Sequence, residues 1–266
     1  MPAPAEVWES GAQYQAYIGR WSRPVATAFL SWLGLPERGR WLEVGCGTGA
    51  LTERILALAA PAAVHAVDAS EGYVAFARRD IADPRVRFEV ADARSLPGED
   101  SSHDAAVSGL VLNFVPQPER MVAEMARVVR PGGTVAVYVW DYAGEMQLIR
   151  RFWDAAIALD PAAAELDEGR RFPICAPDAL GELWRRSGLE AAEVRPIDVL
   201  TSFRDFEDYW QPFLGGQGPA PGYARSLDEG RRSALRERLH SALPTSPTGR
   251  IDIVARAWAV RGTRAQ

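Results

Sequence analysis

The segment Trp41–Leu51, Trp-Leu-Glu-Val-Gly-Cys-Gly-Thr-Gly-Ala-Leu, constrains this chain more than any other. A short apolar run ends in three glycines within five residues, and an apolar-periodic stretch follows at once. Apolar strand, glycine-dense turn and helix in immediate succession open a βαβ unit, with the turn at the carboxyl end of the strand. Glycine leaves no Cβ in the way there, so backbone can approach a nucleotide-like ligand closely. Whether that ligand carries a pyrophosphate, a triphosphate or neither is decided by the residues around the glycines.

The alternation continues. Apolar strand-like runs occupy residues 41–44, 64–67, 86–90, 105–108 and 134–140, with helical patterns between them. Residues 48–60 place Leu51, Ile55 and Leu58 on one face, and Ser70 caps a helix that turns Tyr73, Val74 and Ala77 inward. Residues 119–130 follow Pro118 and stop at Pro131-Gly132-Gly133. Upstream, residues 6–20 and 22–35 read as two helices, the second capped by Ser22 with Pro24 in its first turn. Downstream, helices are expected over 146–159, 177–187, 203–214 and 227–243, with a loop around Arg171-Phe172-Pro173 and another over 215–222. Strands are expected over 192–202 and 251–261, with a turn at 244–249 between the last helix and the last strand. The order predicts one α/β domain: a helical cover over 1–34, a ligand-binding core over 35–142, helices and insertions over 143–250 forming a lid, and a final strand over 251–262.

The spacing Gly45-x-Gly47-x-Gly49 is tighter than the Gly-x-Gly-x-x-Gly of dinucleotide sites, and Glu43 stands two residues before it. An acid there opposes a pyrophosphate and suits a cationic or amino-bearing ligand. All 30 basic residues are arginine, which removes a phosphate-loop lysine, a Schiff-base lysine and the Tyr-x-x-x-Lys pair of many short-chain dehydrogenases.

Glu43-Val-Gly-Cys-Gly-Thr-Gly resembles motif I of the class I S-adenosylmethionine-dependent methyltransferases, in particular the type 11 group similar to ubiquinone and menaquinone biosynthesis methyltransferases. Later landmarks of that family also match: Asp68 in "HAVDAS", nineteen residues after Gly49, Asp92-Ala93 in "EVADARSLP", Ser108 to Leu110, and the Pro131-Gly132-Gly133 turn. The resemblance covers about residues 35–142. It implies a Rossmann-like seven-stranded sheet, mostly parallel with an antiparallel C-terminal strand and helices on both faces. It also implies S-adenosylmethionine as cofactor, with candidate contacts from Glu43, Gly45, Cys46, Gly47, Thr48, Gly49, Asp68, Ala69, Asp92, Ala93, Ser108 and Leu110. Asp68 would accept the ribose hydroxyls and Asp92 the adenine amino group. A segment before motif I folds over the donor in related enzymes; here Tyr17, Arg20 and Trp21 suit that role, Arg20 as partner of the methionine carboxylate.

Methyl transfer from a sulfonium is an in-line displacement that needs positioning and exclusion of water, with a general base optional. No catalytic residue is therefore assigned. Acceptor-pocket candidates are Asn113 after the fourth strand, Trp140 and Tyr142 at the end of the fifth, and Phe206, Tyr209 and Trp210 downstream. The residues after strand four lack the Asp/Asn-Pro-Pro-aromatic and Pro-Cys motifs of DNA-base methylation, and a net charge of -5 disfavours nucleic acid. Two cysteines, Cys46 and Cys175, support neither a metal site nor a disulfide framework, and Cys46 reads as a loop filler. His65 reads as structural, His103 as solvated, and His240 as lying on a polar helix. The expected protein is a cytoplasmic monomer or homodimer without signal or membrane segment, methylating a small molecule at O, N or C. An NAD(P)-binding oxidoreductase and a non-catalytic adenosylmethionine-binding protein are the alternatives.

Overall fold

The computed structural model describes residues 19–35, 37–215 and 218–266. Strand β1 (Arg40–Val44) buries every residue after Arg40, as a strand covered on both faces must. It is followed by α2 (Ala50–Leu58), β2 (Ala63–Asp68), α3 (Glu71–Asp80), β3 (Val86–Val90), β4 (His103–Gly109), α4 (Pro118–Val128) and β5 (Val129–Trp140), and preceded by α1 (Arg20–Leu33). Then come α5 (Gln147–Leu159), α6 (Glu168–Arg171), α7 (Pro177–Arg186), β6 (Leu189–Phe203), α8 (Phe206–Trp210), α9 (Pro219–Ser226), α10 (Glu229–Ala242) and β7 (Ile251–Arg264).

The seven strands form one sheet in the order β3-β2-β1-β4-β5-β7-β6. Neighbours from β3 to β5 are parallel, and β7 runs antiparallel to β5. The expected sheet is thus the observed one. The chain steps outward from β1 to β3, then returns to β4 on the other side of β1. The carboxyl ends of β1 and β4 therefore flank the point where strand order reverses, the place where open α/β sheets bind ligands.

The described residues divide into two compact units: those within 22–140, 174–197 and 257–266 form the sheet unit, and those within 19–21, 141–173 and 198–256 the helical unit. In the sheet unit Phe29 of α1 packs its ring 4.8 Å from that of Tyr138, and Trp184 of α7 donates to the Val135 carbonyl at 3.2 Å. In the helical unit Phe152 of α5 stacks on Phe213 at 4.6 Å, and Arg150 grips Asp167 through two bonds of 2.9 and 3.1 Å. Each fully buried aromatic or aliphatic side chain stabilises its unit by about 1.5–3 kcal/mol.

Several local expectations are corrected. Ser22 lies buried inside α1 rather than at its cap, because the helix extends back through Trp21, whose ring meets Phe203 at 5.5 Å. The helix expected over 6–20 lies outside the described residues apart from Gly19 and Arg20. Leu58 ends α2 at 51% exposure: the apolar stripe outruns the surface that covers Leu51 and Ile55. Helix α4 stops at Val128 because Val129 already pairs with His103; the next register pair is Ala105 with Thr134, so Pro131-Gly132-Gly133 forms a bulge within β5. The proline-rich stretch after Gly218 starts α9, since a proline in the first helical turn removes only N–H groups that have no intrahelical partner. The aromatic segment 203–214 divides into the end of β6, α8 capped by Asp205, and a 3-10 turn over Gln211–Leu214. The 161–175 stretch folds into α6 and two 3-10 turns. No helix among the described residues is long and apolar enough to cross a membrane.

Candidate functional site

The glycine loop is pinned from below. Gly45 and Cys46 both donate their amides to the Val67 carbonyl, at 2.7 and 2.9 Å, which ties the loop to the end of β2. Gly45 (φ 77°) and Gly49 (φ 89°) are obligatory: a Cβ at the first would penetrate the Val111 side chain, and at the second Ile81. Gly47 differs. Its φ is 52°, but a Cβ there would meet nothing within 4 Å. Two glycines therefore shape the loop, and the middle one borders open space.

Asp68 closes the site from the side. Its Oδ2 accepts the Gly47 amide at 2.9 Å and its Oδ1 the Ser70 amide at 2.9 Å. Ser70 itself caps α3 through the Tyr73 amide, as expected. A carboxylate offers about four lone-pair sites, so Asp68 retains capacity for two hydroxyls after these bonds. Burial raises its pKa against the lowering effect of the Ser70, Gly47 and Ala69 amides. Ala91 donates to the Asp68 carbonyl at 3.0 Å, which holds the Asp92-Ala93 turn beside Asp68, while Ala69 stands exposed at the strand end. The Asp92 carboxylate is solvent-exposed and chelated by Arg94, whose hydrogen bonds hold its pKa down at about 2.

Glu43 lies beneath the loop at 1% exposure and accepts a 2.6 Å hydrogen bond from Thr52 of α2. Burial, reinforced by the negative charge of Asp68, lifts its pKa to about 8 despite the Thr52 bond. Glu43 is therefore mainly neutral at pH 7 in this state. The expectation that its charge repels a pyrophosphate is corrected on that account; the tight glycine spacing remains as the argument. Cys46 is buried and its thiol is pushed up by burial and by Glu43 and Asp68, so it has no nucleophilic character and reads as a filler. Thr48 is likewise buried.

Beyond β4, Ser108 is fully buried and donates to the Val44 carbonyl at 2.7 Å, which commits its side chain to joining β4 and β1 and withdraws it from ligand contact. Leu110 adopts φ 64° and donates its amide to the Tyr138 carbonyl at 2.8 Å. A Cβ at Gly109 would enter the Tyr138 ring. Asn113, in the 3-10 turn Leu112–Phe114, keeps both amide atoms buried without a partner. Trp140 ends β5 at 1% exposure with its indole Nε1 also unpaired.

The remaining candidates belong to the helical unit. Tyr209 is core: it is fully buried and donates its hydroxyl to the Leu148 carbonyl at 3.2 Å. Phe206 and Trp210 stack near one another in the same cluster, and Tyr142 packs 5.8 Å from Phe172. The structure thus corrects Tyr209 as a pocket residue, because its polar atom is spent inside its own unit. The Arg20 guanidinium lies 4.9 Å from the Trp21 ring centroid and 4.6 Å from that of Phe203 and bonds Asp208, while Tyr17 lies outside the described residues.

Sequence reasoning missed Thr52, Val111 and Ile81, the residues that hold Glu43 and make two glycines obligatory. A threonine between Leu51 and Ile55 is a faint signal; Val111 and Ile81 leave none. It also misplaced His103, which is buried rather than solvated: its ring stacks on His65 at 6.2 Å, and burial depresses its pKa to about 4. His65 pairs with Glu89 at 3.0 Å across β2 and β3. No cluster of three or more metal-binding side chains exists among the described residues.

The profile described as "Methyltransferase domain" matches residues 42–137, the stretch that carries the glycine loop, Asp68 and Asp92. A trans-aconitate 2-methyltransferase of Methylobacterium nodulans is 35% identical over 146 residues, 54% of this chain and 55% of that protein. A demethylmenaquinone methyltransferase of Clavibacter sepedonicus is 36% identical over 129 residues, 48% and 51% of the two chains. The chain spans about half the length of the curated relatives it matches. Among solved structures, Haemonchus contortus phosphoethanolamine N-methyltransferase 2, in complex with S-adenosyl-L-methionine, superposes with a TM-score of 0.60 at 16% identity, covering 94% of this chain and 56% of that one. That likeness is one of fold.

Proposed function

Because residues 42–137 form a methyltransferase domain, we propose that this chain is an S-adenosylmethionine-dependent methyltransferase acting on a small molecule. The observation that carries the reading is the junction of Gly47 and Asp68: a glycine bordering open space beside a carboxylate already oriented by two amides. The donor supplies a methyl group activated on a sulfonium. Gly45, Gly47 and Gly49 present backbone to it, and Asp68 accepts its ribose hydroxyls. The Asp92-Ala93 turn meets the adenine, with Asp92 exchanging part of its Arg94 contact for the exocyclic amine. Glu43 holds the loop from below through Thr52 and gains its negative charge when a cationic group settles above it. Asn113 and Trp140, whose polar atoms are buried and unpaired, are the sheet unit's acceptor contacts.

The chemical step is an in-line displacement at the methyl carbon, at O, N or C of the acceptor. The protein's part is orientation and exclusion of water rather than covalent participation. The trans-aconitate and demethylmenaquinone relatives each methylate a small molecule, which favours that acceptor class. The proposal extends to a cytoplasmic monomer or homodimer with no nucleic-acid partner, consistent with the net charge of -5.

A dinucleotide-dependent oxidoreductase is disfavoured by the sheet itself: β7 enters antiparallel between β5 and β6, whereas the dinucleotide fold orders six parallel strands 3-2-1-4-5-6. Calorimetry with S-adenosylmethionine, S-adenosylhomocysteine and NADPH tests the reading. Binding of the first two and not the third is expected; a folded protein that binds neither overturns it. Donor binding without turnover across a broad acceptor panel would favour a binding-only role.

A further inference from the structure

Strand β3 ends the sheet, bonded to β2 on one side and to no strand on the other among the described residues. The ladder tells its two sides apart. Arg85 accepts the Val64 amide at 2.8 Å and Ala91 donates to the Asp68 carbonyl at 3.0 Å. The odd-numbered residues therefore face β2, and Val86, Phe88 and Val90 turn their backbone groups outward. Two of those groups are engaged locally: the Val86 amide donates to the Asp83 carbonyl at 3.1 Å, and the Phe88 carbonyl accepts from Arg78 of α3 at 2.8 Å. The Val86 carbonyl, the Phe88 amide and both groups of Val90 have no partner among the described residues, and the Phe88 carbonyl keeps its second lone pair. Such a row is a template for another strand. The opposite edge of the sheet, β6, carries Pro196, which removes an amide from its row; β3 has no proline.

The side chains say which strand fits. Val86-Arg87-Phe88-Glu89-Val90 is the same string of chemical types in either direction once each cation is matched to an anion. Laid antiparallel on a copy of itself about Phe88, it sets Val86 against the partner's Val90, Phe88 against the partner's Phe88, and Arg87 against the partner's Glu89. Each of these cross-strand pairs is favourable. The outward-facing residues then form the hydrogen-bonded pairs: the Phe88 amide donates to the partner's Phe88 carbonyl, and the Val90 amide to the partner's Val86 carbonyl. Arg87 and Glu89 fall in the pairs without backbone bonds, where side chains lie closest. Val90 is 48% exposed and the Arg87 side chain 73%, so the chain's own fold covers neither. Within the strand Arg87 holds Glu89 at 2.7 Å, a solvent-exposed contact that costs little to share.

We propose that two copies of this chain pair through β3, antiparallel about a two-fold axis at Phe88, so that their two sheets continue into one. The short strand makes this a small interface and a concentration-dependent dimer. The assignment is independent of the methyl-transfer reading.

Sedimentation velocity of the whole chain from about 5 to 500 μM, where a small interface associates, tests it. A monomer–dimer equilibrium is expected. Arg87→Glu places Glu against the partner's Glu89 at two symmetry-related points, and Glu89→Arg does the same with arginines; each weakens the dimer tenfold or more. The double variant Arg87→Glu/Glu89→Arg exchanges the charges and recovers wild-type association within threefold. Mixing the two single variants yields a heterodimer, because each supplies the charge that the other needs. Circular dichroism melts verify that the variants are folded, and Arg87→Glu, the more exposed change, serves alone if Glu89→Arg is not. A wild-type chain that stays monomeric throughout the range overturns the assignment. So does a dimer that persists in Arg87→Glu, or one that the double variant fails to recover, for then another surface holds the copies together.

Discussion

Asp68 accepts the amide of Gly47 at 2.9 Å, so the acid that ends β2 and the middle glycine of the loop after β1 are one rigid unit. With Ser70 on its other oxygen, the carboxylate is oriented before any ligand arrives.

Replacing Asp68 should therefore act on the loop and on the ligand together. Asp68→Asn must turn an NH2 toward either the Gly47 or the Ser70 amide, setting donor against donor. Affinity for S-adenosylhomocysteine should fall by about 1–3 kcal/mol, roughly 5- to 150-fold in Kd, with a lower melting temperature in its absence. Calorimetry and thermal melts check both; unchanged affinity would remove Asp68 from the site.

The glycines should separate shape from binding. Gly49→Ala forces a Cβ into Ile81 at φ 89° and should cost about 2–4 kcal/mol of stability. Gly47→Ala meets no atom and pays only the left-handed backbone penalty, about 1 kcal/mol. The second variant should fold yet lose donor affinity, because the new methyl occupies the open surface. Urea unfolding followed by calorimetry distinguishes the two, and a Gly47→Ala protein with full affinity would place the ligand elsewhere.

Glu43 should make the ligand-free protein less stable as pH rises. An acid with a folded-state pKa near 8 and an ordinary unfolded value keeps its proton when folded and loses it on unfolding. Its contribution is complete below its unfolded pKa and declines by up to about 1.4 kcal/mol per pH unit on the way to pH 8. Glu43→Gln carries no such proton, so its stability relative to wild type should improve between pH 5 and pH 8. Urea titrations at several pH values measure the gap, and a pH-independent gap would contradict the buried, protonated state.

His103 has the opposite sign. Burial depresses its folded-state pKa to about 4, so it contributes stability that is present above its unfolded value near 6.5 and is lost as pH falls toward 4. His65, stacked against it, is depressed by burial in the same direction despite Glu89. His103→Gln should flatten the decline in melting temperature between pH 6.5 and pH 4; an equally steep decline would assign acid sensitivity to other groups.

The loop, Asp68, the Ser70 cap and the parallel core were legible because each is encoded within a few residues. Glycine where φ is positive, an acid at a strand end and a serine three residues before an amide need no distant partner to be recognised. Ser22, by contrast, has the local chemistry of a cap, yet lies inside α1 because burial of Trp21 keeps the helix going. Ser108 has the chemistry of a ligand contact but gives its hydroxyl to Val44, sixty-four residues away. Tyr209 looks available until Leu148 takes its hydroxyl, and His103 looks solvated until the sheet closes over it.

The sequence by itself thus determined the βαβ order, the compressed glycine turn and the acids that attend it, since local backbone geometry and strand periodicity write these directly. The tertiary structure decided what each polar group can still do. Whether Glu43 is charged, whether Ser108 is free and whether His103 is solvated all depend on burial and on partners supplied by remote segments. Desolvation and long-range hydrogen bonding set those states, and neither is a property of any short stretch of chain.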